Sequence, residues 1–195
     1  CLLAEQLAQV VALAEPRLPG LADPLRVALR GMLDAMPAFT HPDGDVALWG
    51  DSQLGAPATP LRLHERLGLT PPAGDHEAHD DRDSGFSRRR WGPFTMLWNR
   101  GGVGLPQQVG HIHGDCLAVE LSHGRTRVLV DAGVGTYVPG AERDYARSTH
   151  AHNTVTVDDR DQHELWKSHR IGGPAAPNVL ELRDARPGPR VPGGR

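Results

Sequence analysis

Cysteine is scarce, with only Cys1 and Cys116 in 195 residues, so no disulfide framework supports the fold and the redox compartment stays open. Cys116 falls inside an expected strand, where simple burial is its expected role. An excess of positive charge is also missing. The chain carries 21 basic and 24 acidic residues for a formal net charge of -3, which excludes gathering nucleic acid or an anionic membrane by bulk electrostatics. Any anionic partner must be bound locally. No apolar run is long enough to cross a bilayer. The opening stretch from Cys1 to Ala14 is interrupted by Glu5 and Gln6, falls short of the roughly 20 residues a span needs, and lacks the basic segment and cleavage site of a signal peptide. A chain that begins at Cys1 and closes on the Pro/Gly/Arg-rich run from Arg186 to Arg195 reads as a fragment, with targeting signals free to lie elsewhere.

What is present is histidine, eleven of them, a side chain that both ligates metals and carries protons near neutral pH. The hydrophobic content of 38% allows one ordinary core or two small ones. Leu2, Leu3, Leu7, Val10, Val11 and Leu13 recur near helical spacing and predict an amphipathic helix ending around Pro16. Asp23 and Pro24 read as the cap and first turn of a second helix, carried by Leu25, Val27, Leu29, Met32, Leu33 and Met36 up to Pro37. The pair forms an antiparallel hairpin of the kind that belongs to a larger helical array.

From His41 to Asp83 turns dominate, with a short helix expected near Leu61 to Leu67. Beyond Gly85 the pattern changes to short extended runs: Phe86 to Trp91, Thr95 to Asn99, Cys116 to Ser122, Thr126 to Asp131, His152 to Val157 and Val179 to Leu182. That spacing predicts an antiparallel sandwich or barrel. The Arg88-Arg89-Arg90 run is expected on a solvated strand edge.

The chemistry concentrates in Gly110-His111-Ile112-His113-Gly114-Asp115, where residues two apart on an extended backbone share a face. A hairpin through Ser122-His123-Gly124-Arg125 returns a second strand whose end carries Asp131, and His150-Ala151-His152-Asn153 adds imidazole at a further strand entrance. Two imidazoles with one carboxylate satisfy zinc and leave one position open. The same His-x-His can equally form the polar rim of a sheet. A carboxylate at Asp131, ending an apolar strand, is costly to bury unless paired or bound to a cation.

Taken in order, Gly110 to Leu117, Val130 to Tyr137, Arg143 to Val155 and Asp161-Gln162 resemble the C-terminal region of the heparinase II/III polysaccharide lyases over about sixty residues. The earlier His41-Pro42-Asp43-Gly44 turn and Leu48-Trp49-Gly50-Asp51-Ser52 are similar to that family's exit from an α/α-toroid into a β-sandwich. The resemblance implies an α+β chain: terminal toroid helices over 1–40, a linker over 41–84 and an incomplete antiparallel β-sandwich over 85–195. It implies His113, Asp131 and His152 as ligands of a structural zinc ion, with His111 facing substrate. It also implies a tyrosine acting on the sugar proton or the leaving oxygen, for which Tyr137 is preferred and Tyr145 competes. Arg143 and Arg147 either pair with a uronate carboxylate or brace the loop.

The implied reaction is β-elimination on an acidic, uronate-containing polysaccharide. Removing the proton beside the carboxylate requires that charge to be neutralised, and a tyrosine can serve once neighbouring cations stabilise its phenolate. In the family the toroid supplies the opposite wall, so the chain is expected to hold about half an active site and to be inactive by itself. Gln162, Trp166 and Arg170 follow the family pattern, whereas His169 stands where an aromatic is common. The implied setting is periplasmic or secreted. Two other readings remain: a non-catalytic carbohydrate-binding or exopolysaccharide-biosynthesis module with a structural zinc, and a hydrolase whose zinc activates water.

Overall fold

Apolar periodicity gives two helices, as expected, but the second starts earlier. In the computed structural model, which describes residues 2–55, 59–69, 78–80, 85–101 and 109–173, α1 spans Leu2–Ala14 and α2 spans Pro19–Ala35. Pro19 takes the first helical turn and Pro24 lies inside the helix, so the Asp23-Pro24 pair is not the helix start. A proline is tolerated early, where the first N–H groups lack partners anyway, and the burial of Ala22 on the upstream turn favours extending the helix past Asp23. Ala4, Ala8, Leu29, Leu33 and Met36 form the inner face of the hairpin, joined by Leu63 of the short helix α3, Pro60–Arg66. No helix among the described residues is long and apolar enough to cross a membrane.

Five antiparallel strands follow, in the spatial order of the sequence: β1 (Ala78–Asp80), β2 (Phe86–Trp91), β3 (Phe94–Asn99), β4 (Val119–His123) and β5 (Thr126–Leu129). A separate hairpin pairs β6 (Glu164–Trp166) with β7 (Arg170–Gly172). The fold is thus α+β, helices first and antiparallel sheet after. Two expected strands are shorter than their apolar runs: Cys116 and Leu117 lie in a turn, with Leu117 at φ 63°, and β5 stops before Asp131. The run from His152 to Val157 forms no strand beyond a bridge between Val157 and Arg160, and Val155 and Val157 are exposed. The run at Val179 to Leu182 lies outside the described residues. Arg88, Arg89 and Arg90 lie on β2, which is paired on both sides, so the run is not at a sheet edge.

Phe39 packs against the helical cluster and against the sheet cluster of Ala47, Trp49, Leu97 and Ala118. Its ring meets Phe86 edge-on at 5.9 Å, and Trp49 stacks on Phe86 at 5.4 Å. The covered sheet face is otherwise polar, with Ser87, Thr95, Glu120 and Ser122 all buried, and buried polar groups need partners. For Glu120 and Ser122 they come from the 40–50 segment. His41 Nδ1 lies 2.7 Å from Ser122 Oγ and its Nε2 2.8 Å from Glu120 Oε2, while the Leu48 N–H donates to Glu120 Oε1 at 2.6 Å. Ser122, His41 and Glu120 have the composition of an acyl-transfer triad. The side chains of His41 and Glu120 are wholly sealed from solvent, as is Ser122, so no substrate reaches them and the network clamps this segment to the sheet. Glu120→Ala leaves His41 and the Leu48 N–H without their acceptor, and removing one member of a buried pair costs about 3–5 kcal/mol. Chemical denaturation should show a loss of that size; a change within the roughly 0.5 kcal/mol typical of surface substitutions would remove the clamp from the account.

Candidate functional site

Two glycines set the backbone around the site. Gly50 adopts a left-handed φ of 55°, where a Cβ would lie 2.9 Å from the His111 carbonyl oxygen, and its N–H donates to Asp115 Oδ2 at 2.8 Å. At Gly114 a Cβ would lie 2.4 Å from Thr149 Oγ1, so only glycine lets the 111–115 loop approach the turn that carries His152. That turn is held from the far side: Asp161 Oδ1 accepts from the Thr149 N–H at 2.7 Å, and Gln162 bonds both the N–H and the carbonyl of Cys116. Burial pushes the Cys116 thiol up to about 11, in keeping with a structural rather than reactive role.

The extended His-x-His-x-Asp arrangement is not what brings these groups together. His111 closes a 3-10 turn over Val109–His111 and is exposed, whereas His113 and Asp115 are buried. The point of convergence is Asp51, which the sequence did not single out as a site residue. Its Oδ2 lies 2.7 Å from His111 Nδ1 and its Oδ1 2.8 Å from His113 Nε2. Arg143 pairs with the same carboxylate through Nη1 and Nη2. Burial would push the Asp51 carboxyl up, but hydrogen bonds from His113, Arg143 and His111 outweigh it and hold the group well below the usual carboxylate range. An ionised Asp51 inside the fold is therefore a fixed anchor for three side chains.

Asp131 makes the matching arrangement with His152, whose Nδ1 lies 2.9 and 2.8 Å from its two oxygens. The imidazoles of His113 and His152 adjoin at a centroid distance of 5.4 Å. Each ring thus has a carboxylate on one nitrogen, and each leaves its other nitrogen, His113 Nδ1 and His152 Nε2, buried without a hydrogen-bond partner. Burial lowers the pKa of His113 and favours the neutral, ligand-competent ring; for His152 burial opposes protonation but Asp131 prevails and raises it. Asp115 lies alongside with its pKa raised, mainly by burial. Orphaned buried nitrogens on carboxylate-oriented imidazoles match the chemistry of a divalent cation site.

Tyr137 lies on the open side. Its ring stacks on His169 at 5.8 Å, the Arg143 guanidinium sits 5.2 Å over it, and His169 in turn meets His111 at 6.0 Å. Burial and the Asp51 charge raise the Tyr137 pKa against the opposing pull of Arg143. Contrary to expectation, the pull of Arg143 toward the phenolate is thus outweighed, first by burial and then by the Asp51 charge. Tyr145, on helix α4 (Ala141–Arg147), is 57% exposed and has no hydrogen bond or ring contact with this group among the described residues. Arg143 also donates to the Ser168 carbonyl, and Arg147 to the carbonyls of Lys167 and Ile112. Both guanidinium groups are buried and engaged with protein acceptors.

Helices lead into an antiparallel sheet, and a histidine–carboxylate–arginine cluster lies in the segments beside it. The chain belongs to the heparinase II/III-like C-terminal family, whose model matches residues 73–191. Among solved structures it is similar to the heparinase III that is the BT4657 gene product, at a TM-score of 0.61 and 19% identity over 82% of this chain and 30% of that one. A crystal structure of heparinase III gives 0.59 and 19% over 81% and 30%, and the heparan sulfate lyase HepC from Pedobacter heparinus 0.56 and 17% over 85% and 31%. The chain therefore spans about 30% of the length of the first two. No curated protein matches it in sequence.

Proposed function

We propose that this chain forms the metal-bearing wall of a polysaccharide lyase that cleaves a uronate-containing acidic polymer by β-elimination, the rest of the cleft coming from a toroid in the same polypeptide. The observation that carries the reading is that Asp51 adjoins both groups: its carboxylate orients the exposed His111, and its backbone carbonyl accepts from the half-exposed Tyr137 hydroxyl at 3.5 Å. Elimination needs a base for the proton beside the carboxylate and an acid for the departing glycosidic oxygen. With Nδ1 turned to Asp51, His111 offers Nε2 to solvent and serves as the base. A phenol whose pKa is raised keeps its proton, which makes Tyr137 the donor to the leaving oxygen. Arg143 fixes the Tyr137 ring and Asp51 together, and Arg147 holds the loop from Ile112 to Lys167.

His113, Asp131 and His152 are the residues that would hold zinc, with the unpartnered ring nitrogens of the two histidines as the favoured contacts. When bound, zinc supplies rigidity and folding free energy. The proposed domain division is helices over 1–40, a connecting segment over 41–84 and the sheet domain over 85–195.

The native polypeptide carrying this sequence should generate new ultraviolet absorbance from uronate polymers, because elimination leaves a carbon–carbon double bond conjugated to the carboxylate. Saturated products would overturn elimination in favour of hydrolysis. The isolated 195 residues should show no turnover, since proton abstraction needs both walls at close geometry; turnover by them alone would refute the shared-cleft reading.

A further inference from the structure

Among the described residues, one group of three or more potential ligand side chains converges, and it is not the His113, Asp131 and His152 set: the ligand atoms of Asp51, His111 and His169 lie within 4.8 Å of one another. Unlike His113 and His152, these two imidazoles are exposed, so an ion can reach them without opening the fold. His169 is held in place before any ligand arrives. Its Nδ1 lies 3.2 Å from the Gly110 carbonyl oxygen, its ring stacks on Tyr137, and the adjacent Gly110 backbone packs against it. A carbonyl can only accept, so Nδ1 is the protonated nitrogen and Nε2 carries the free lone pair. His111 is fixed by Asp51 in the same way. Two preorganised imidazoles open to water, beside a carboxylate whose side chain is only 7% exposed, offer the donor set of borderline divalent transition metals rather than of magnesium or calcium.

We infer that Asp51, His111 and His169 form a second, exchangeable site for a transition-metal ion such as zinc, copper or cobalt, separate from the buried pair. Arg143 shares the Asp51 carboxylate, and its positive charge weakens the site relative to the buried one, so the ion exchanges freely. Occupation engages His111, the base of the proposed elimination, and therefore inhibits. This last step rests on the reading of His111 above; the metal site does not.

Cobalt binding to the metal-free protein, followed by visible absorption and equilibrium dialysis, separates the two sites. The wild type should take up a tight ion and a weaker one. His169→Ala should weaken the second by at least about tenfold, in line with the loss of a supporting ligand-shell group, and leave the first unchanged. His152→Ala should do the reverse. A single binding step in the wild type, or a second step that survives His169→Ala unaltered, overturns the inference. If His169→Ala loses the weak ion but excess zinc leaves lyase turnover unaffected, the site stands and the role assigned to His111 fails, which keeps the two outcomes apart. Magnesium competing as well as zinc for the weak site would also overturn the assignment, since it would show carboxylate binding without the imidazoles.

Discussion

The zinc content of the His113→Ala protein is expected to fall from about one ion per chain to none, with a loss of stability, because structural zinc contributes its binding free energy to folding. The imidazole of His113 is sealed from solvent, tied at Nε2 to Asp51 and left without a partner at Nδ1. Truncation removes one of the two orphaned nitrogens and one of the hydrogen bonds to Asp51. His150→Ala is the control. That imidazole is about half exposed and faces Asp159 at 3.5 Å, so elemental analysis should find its zinc unchanged. Full zinc in the His113→Ala protein would move the ligand role to other residues.

Tyr137→Phe should lower turnover of the lyase by at least about 100-fold, close to 2.7 kcal/mol of transition-state stabilisation, the scale of a positioned acid–base group. The substitution deletes one hydroxyl. Stacking on His169 and the Arg143 contact over the ring face need only the ring, so zinc content and folding should be unaffected. Tyr145→Phe should stay near the parental rate. Turnover assays on both variants check this; the reverse ranking would transfer the acid role to Tyr145 while leaving elimination intact.

The sequence discloses the architecture well because periodicity records burial. The apolar spacing of Leu29 and Leu33 marks the buried stripe of α2, and alternation along Thr95 to Asn99 marks β3. It discloses the ends of elements poorly. The apolar run from Val128 to Val130 reads as strand, yet β5 stops at Leu129 because the chain must turn to bring Asp131 under His152. The histidines are legible as chemistry, but their geometry is not. His111 and His113 meet at Asp51 through a 3-10 turn and opposite ring nitrogens, 60 and 62 residues from their shared partner.

Asp51 itself carries a signal of the kind that drew attention to Asp131. It follows the apolar Ala47-Leu48-Trp49 stretch and a glycine, and a carboxylate placed there is costly to bury without a partner. Spacing alone gives no hint of its partners, because they lie 60, 62 and 92 residues further along the chain. The same holds for His41 and Glu120, which lie 79 residues apart.

The central claim is that two carboxylate-oriented imidazoles enclose a metal beneath the proposed catalytic wall. Anomalous X-ray scattering at the zinc edge, on crystals of the native polypeptide, tests it most directly. The account predicts a strong peak about 2.0–2.1 Å from His113 Nδ1, the usual zinc–imidazole distance, and at the same distance from a ring nitrogen of His152. An absent peak there, in crystals shown by emission spectroscopy to contain zinc, would contradict it.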